Sequence, residues 1–152
     1  MSTLFILCGI PASTKTTWCR NNVPKDAIYV SRDEIRFSML KPNDQYFSKE
    51  KEVFDEFIKR IKDGLNRGFD VYADATHLNR SSRAKLMQAV GCGDWDFQAL
   101  VFIASIDGCL FRNSTRGGRA YVPEDELIQM YHRFTIPTTN EGFSKIWKME
   151  VD

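Results

Sequence analysis

The stretch Leu4-Phe5-Ile6-Leu7-Cys8-Gly9-Ile10-Pro11-Ala12-Ser13-Thr14-Lys15-Thr16-Thr17 decides the fold. Its opening run, Leu4 to Cys8, is apolar without the alternation of a half-exposed strand, which is the pattern of a strand covered on both faces in a parallel sheet. A Gly-Ile-Pro turn follows, and a helix is expected after it. Outward from this unit, Ala27–Val30, Phe69–Ala73 and Phe97–Ala104 read as further strands, and Ile146–Val151 as a weaker, alternating one. Amphipathic stretches fill the gaps. Across Ser48–Arg67 the residues Phe54, Phe57, Ile58, Ile61 and Leu65 recur at helical spacing, read as core packing, and Gly68 stops the helix. Asn79 is placed to cap a helix through Val90. Pro123 suits the first turn of another running to about Phe134, with Glu124, Asp125 and Glu126 at its positive end. The alternation of strand and helix predicts a wound α/β domain.

Composition bounds the function. The 152 residues, 43% hydrophobic and 27% charged, supply one core and leave no room for two domains of ordinary size, so residues 1–152 read as one domain. Lys plus Arg number 21 against 20 Asp plus Glu, a formal charge of +1, so no global field draws the chain to nucleic acid or membrane and any anion site must be local. The longest apolar runs fall far short of the roughly 20 residues that cross a bilayer. Met1-Ser2-Thr3 lacks the positive flank of a secretory signal, which points to a cytoplasmic location. Cys8, Cys19, Cys92 and Cys109 show no Cys-x-x-Cys spacing, and with only His77 and His132 beside them they read as free thiols.

Four segments carry chemistry. Gly9 to Thr16 nearly matches G-x-x-x-x-G-K-[ST], the loop whose backbone N–H groups wrap a phosphate while the lysine adds charge and the hydroxyl meets magnesium. Gly9, Lys15 and Thr16 fit, whereas Thr14 puts a β-branched side chain where glycine lets the backbone approach the phosphate. If its backbone is forced into a sparse region, the strain is about 1–3 kcal/mol. A Gly-Pro turn leading into a capped helix, with Lys15 solvated, is the bland alternative. In Ser31-Arg32-Asp33-Glu34-Ile35-Arg36, just after the second strand, a helix starting near Arg32 puts Asp33 and Arg36 on one face. One offers a carboxylate to take a hydroxyl proton, the other a planar fork for a phosphate; an acidic first turn paired with surface arginines is the competing reading. Asp74, ending the strand before Ala75-Thr76-His77-Leu78-Asn79, resembles a carboxylate that orients magnesium or its waters. His77 receives no role. In Arg112-Asn113-Ser114-Thr115-Arg116-Gly117-Gly118-Arg119, a helix places Arg112 and Arg116 on one face and Gly117-Gly118 frees the next segment, the composition of a lid closing over phosphates. A solvated basic helix end is the alternative.

With these pieces in this order, and with Val122-Pro123 after them, the sequence resembles the kinase domain of phage polynucleotide 5′-hydroxyl kinases, within the P-loop kinases. The resemblance implies a three-layer α/β/α P-loop kinase fold with a central parallel sheet of about five strands and an arginine-bearing lid. It implies ATP as phosphate donor, Mg2+ as cofactor, and the 5′-hydroxyl end of DNA or RNA as acceptor, in end repair. By resemblance Gly9, Pro11, Ala12, Ser13, Thr14, Lys15, Thr16 and Thr17 form the donor loop, with Thr16 and Asp74 toward the metal. Asp33 would be the general base, with Lys15 and Arg116 as the other catalytic groups. Arg32, Arg36 and Thr76 would bind the acceptor, and Arg112, Arg116 and Arg119 would engage the donor phosphates. Arg32, Arg36 and Lys41 would supply the local positive charge for a terminal nucleotide. The family pattern has glycine at Thr14 and often at Ala12. No Asp-x-Asp-Gly-Thr motif is present, so phosphatase activity is not expected. Family kinases can form homo-oligomers. Two further readings stay open: a kinase of a small molecule or modified nucleoside, and a nucleic-acid-binding relative whose catalysis is impaired at Thr14.

Overall fold

The computed structural model describes residues 1–152. Five strands form one sheet: β1 (Ser2–Cys8), β2 (Ile28–Ser31), β3 (Val71–Asp74), β4 (Trp95–Ile103) and β5 (Lys145–Glu150). Every neighbouring pair is parallel and the order is β2-β3-β1-β4-β5, which gives the expected central parallel sheet with β1 in the middle. The helices are α1 (Lys15–Asn22), α2 (Arg32–Met39), α3 (Glu50–Asn66), α4 (Arg80–Val90), α5 (Ile106–Ser114) and α6 (Glu124–Arg133). No helix is long and apolar enough to cross a membrane, and all four cysteines are free.

Period-two alternation divides the core between the faces. Leu4, Ile6, Ala73, Ala99 and Val101 point to the side covered by α3 and α4. Leu7, Tyr72, Leu100 and Phe102 point to the other, where Cys19 and Trp18 of α1 meet them. A smaller group, Ile10, Cys109 and Leu127, ties the first turn to α5 and α6. The stripe on α3 is Val53, Phe57, Ile61 and Leu65, all buried. Phe54, read from sequence as core, instead turns to the wall of the cleft described below, because its neighbour Val53 takes the inward position.

Caps behave as the residue types require. Gly68, at φ +86°, closes α3 with its N–H on the Leu65 carbonyl and the Phe69 N–H on the Gly64 carbonyl, the two bonds of a Schellman motif. Asn79 Oδ1 accepts from the Ser82 N–H at 2.9 Å while the Asn79 N–H donates to Ser82 Oγ at 3.2 Å, fixing the start of α4.

Two devices fix the loop after β3, one tying it to β1 and the other to Thr135 and Glu141. His77, at φ +42° and buried, shares a 2.5 Å hydrogen bond between Nδ1 and the Leu7 carbonyl. Arg83, 1% exposed, pairs with Glu141 and donates to the carbonyls of His77 and Thr135. Burial pushes the His77 pKa down to about 4, so the ring is neutral at pH 7.

Two stability predictions arise here. A Cβ on Gly64 would lie 2.8 Å from Val71 Cγ2 and 2.9 Å from Ile28 Cδ1, so close packing of α3 on the sheet requires glycine inside a helix. Gly64→Ala gains about 1 kcal/mol of helix propensity but loses about 1–3 kcal/mol to overpacking. A net loss of stability is expected in urea unfolding, and an increased midpoint would contradict the packing argument. For His77, the unfolded ring takes up a proton below its ordinary pKa of 6.5 while the folded ring stays neutral down to about 4, so stability falls as pH drops through that window. In His77→Asn the slope of unfolding free energy between those pH values should flatten by on the order of 3 kcal/mol in total; equal slopes in the two proteins would refute the assignment.

Candidate phosphate-transfer site

In a doubly wound sheet, ligands meet the carboxyl ends of the strands where the strand order reverses. Here that point lies between β1 and β3, and β2 is the next strand outward. The turn after β1, Asp74 at the end of β3 and Asp33 just past β2 therefore share one edge, with Ser31 and Asp74 in register. They line a cleft of about 870 Å³.

The loop between β1 and α1 has the conformation of a glycine-rich turn built from other residues. Ala12 lies at φ +63° and Thr14 at φ +74°, ψ +14°, the left-handed region that β-branched residues avoid. The strain foreseen at Thr14 is thus present, about 1–3 kcal/mol, and neighbours hold it. The Gly9 N–H donates to the Thr76 carbonyl at 2.9 Å and Arg112 Nε to the Ala12 carbonyl at 2.7 Å. Gly9 itself has no space for a side chain, since a Cβ would sit 2.7 Å from Ser13 Oγ.

Lys15 is nearly buried, and its Nζ donates to the carbonyls of Gly9 and Ile10 at 2.9 Å each and to Ser13 Oγ at 3.4 Å. Burial lowers its pKa, while the charges of Asp74 and Asp33 oppose that shift and Arg116 adds to it. The ammonium thus lies within electrostatic reach of two carboxylates and a guanidinium from separate parts of the chain. Asp74 accepts from Thr16 Oγ1 at 3.1 Å and from the Tyr29 hydroxyl at 2.5 Å. That phenol is pushed well above its ordinary range, by burial first and Asp74 second. Thr16 and Asp74 are hard oxygen donors placed side by side, which suits Mg2+ held jointly with phosphates and water. No group of three or more His, Cys, Asp or Glu side chains is gathered to hold a metal ion.

The first turn of α2, which also lines the cleft, carries Asp33, with Ser31 Oγ capping the helix through the Glu34 N–H. Arg36 Nη1 donates to Asp33 Oδ1 at 2.5 Å, so the two share a face as their spacing requires. The rest of the Arg36 fork is engaged: Nε and Nη2 donate to Glu50 at 2.9 and 2.5 Å, and Arg32 Nη2 reaches the same carboxylate at 3.1 Å. The planar fork read from sequence as a phosphate seat thus holds a carboxylate here and fixes Asp33 in place. Glu50 is a site residue the sequence did not announce, since its partners lie 14 and 18 residues upstream on another helix. Its only signal is an acidic side chain in the first turn of α3.

The arginines of residues 112–119 depart from expectation in one respect. α5 ends at Ser114, so Arg112 and Arg116 do not share a helical face; the Arg116 N–H bonds the Asn113 carbonyl beyond the last turn. The cause is the fully buried Asn113, whose amide donates to the Val122 carbonyl at 2.7 Å and accepts from its N–H at 3.0 Å, closing the connection 115–121. Arg116 lines the cleft with a buried Nη1 that has no partner. Arg112 spends its Nε on the loop carbonyl of Ala12. Arg119 donates through Nη2 to the carbonyls of Lys41, Pro42 and Asp44, joining the segment after α5 to the segment after α2. Pro11, Ala12, Thr14, Thr17, Arg32 and Thr76 all line the cleft, whereas Gly9 and Ser13 lie beneath its surface and Lys41 faces outward.

Comparison with known proteins agrees with this fold. A sugar kinase from Janibacter sp. superposes with a TM-score of 0.69 at 15% identity, covering 99% of this chain and 86% of that one. Kti12 of Chaetomium thermophilum, in complex with ADP-AlF3, gives 0.70 at 15% identity over 98% and 89%. A chain of the Pnkp1/Rnl/Hen1 RNA repair complex gives 0.71 at 20% identity over 87% of this chain, which spans only 43% of that one. The family model described as "AAA domain" (AAA_33) matches residues 4–137, most of the chain, and the chain belongs to this family.

Proposed function

We propose that the protein is an ATP-dependent polynucleotide 5′-hydroxyl kinase, which transfers the γ-phosphate of ATP to the 5′-OH end of DNA or RNA. The observation that carries this reading is that Lys15 and Asp33, from the first turns of two different helices, line one cleft. The acceptor wall favours a nucleotide over a sugar: Tyr46, Phe47 and Phe54 present rings there, with the guanidinium of Arg36 over Tyr46 at 4.8 Å and that of Arg32 over Phe54 at 5.4 Å. Such a wall stacks a base more readily than it hydrogen-bonds a polyol. The likeness to a chain of an RNA repair complex supports the same choice.

In this mechanism the loop N–H groups and Lys15 take the donor phosphates at the N-terminus of α1. Arg116, with its partnerless buried nitrogen, faces the transferred group and neutralises its charge. Arg36 and Glu50 hold Asp33 so that its carboxylate accepts the proton of the attacking hydroxyl. Thr16 and Asp74 would hold Mg2+, which supplies further charge on the phosphates when bound. Thr76 lies beside the acceptor. Arg112 and Arg119 act on this chemistry by setting the loop and the lid.

Two tests apply. Labelled ATP is offered with 5′-hydroxyl oligonucleotides, free nucleosides and sugar acids as acceptors. Transfer to the oligonucleotide is expected, with Asp33→Ala reducing it about 10²–10⁴-fold and Lys15→Ala at least as strongly. Transfer to sugar acids or nucleosides alone would replace this reading with a small-molecule kinase, and oligonucleotide binding without transfer would replace it with a binding module. Second, Thr14→Gly removes a β-branched residue from a left-handed conformation, so it should raise stability by about 1 kcal/mol and lower the KM for ATP. Unchanged melting temperature and KM would mean that the loop is unstrained.

A further inference from the structure

Phe47 is 62% exposed and lines the cleft, and nothing in the phosphate chemistry uses it. Its surroundings are ordered. Tyr46 meets it edge-on with ring centroids 4.6 Å apart, and Arg36 lies 5.7 Å from its centroid. The Tyr46 hydroxyl in turn sits 3.4 Å from Asp33 Oδ1. The ring is therefore one aromatic side chain removed from the carboxylate assigned to the acceptor hydroxyl, with an open face. An exposed phenyl group costs apolar hydration unless a ligand covers it, and a flat ring beside the Arg36 guanidinium matches a base attached to a phosphodiester.

We propose that Phe47 is the stacking platform for the acceptor's terminal nucleobase, with Tyr46 as its buttress, and that this subsite makes the protein prefer a base-bearing 5′ end without reading which base it is. The inference rests on the polynucleotide kinase reading and refines its acceptor. A π-face is common to all four bases, so stacking supplies affinity with little sequence preference. The platform belongs to the segment that Arg119 grips through the carbonyls of Lys41, Pro42 and Asp44, so its position is set together with that of the lid.

The test compares two oligonucleotide acceptors that differ only at the 5′-terminal residue, one with its base and one abasic, using wild type, Phe47→Ala and Phe47→Trp. Phe47→Ala is expected to raise the KM for the base-bearing acceptor about tenfold, leave the KM for ATP unchanged, and have no effect on the abasic acceptor. Phe47→Trp should restore the wild-type value. An equal loss on both acceptors would mean that removing the ring disturbs Arg36, and no loss on either would mean that the base lies elsewhere; each overturns the platform. Wild-type transfer to neither acceptor would overturn the kinase reading instead, so the two failures are distinct.

Discussion

A lysine ammonium under a folded loop has to be matched by oxygen atoms, and in this protein the matching organises the whole site. Lys15 takes the carbonyls of Gly9 and Ile10, and the carboxylates of Asp74 and Asp33 balance its charge through space. These groups arrive on the carboxyl ends of three neighbouring strands, and the sheet order alone brings them together. The parallel sheet is the means by which a lysine at position 15 and an aspartate at 74 become neighbours. Its two-faced burial is what holds that register.

The loop that carries the lysine is held by its surroundings more than by its own composition. Where a glycine would take a left-handed conformation freely, Ala12 and Thr14 take it under constraint from Arg112, Thr76 and the first turn of α1. The helix starts without a side-chain cap at Thr14. Its first N–H groups are thus left for an anion, which is the electrostatic logic of the position. The strain and the open N-terminus belong to the same arrangement, and the proposed phosphate-binding role accounts for both, since such a loop must present backbone and not side chain.

Much of this was legible in the sequence because it is written locally. The continuous apolar run of β1, the alternation in β5, the Asn79 cap and the Gly68 stop each depend on residues within a few positions of one another. So does the pairing of Asp33 with Arg36 on one turn. What could not be read depends on chain segments that meet only after folding. Glu50 occupies the Arg36 fork from another helix, Arg119 reaches carbonyls 75 to 78 residues away, and Asn113 stops α5 by binding Val122. Arg116 was expected on a helical face because spacing alone allowed it; a buried amide with a better partner ended the helix first. Phe54 similarly follows the stripe but yields the inward position to Val53.

The central claim is that the lysine loop and Asp33 serve one reaction centre. It is tested most directly by the structure of the protein with a non-hydrolysable ATP analogue, Mg2+ and a 5′-hydroxyl oligonucleotide bound together. The account predicts the terminal hydroxyl in hydrogen-bonding contact with Asp33 and in line with the γ-phosphorus, with Lys15 and Arg116 on that phosphate. An acceptor hydroxyl seated away from Asp33, or triphosphate bound outside the Gly9–Thr17 loop, would contradict it.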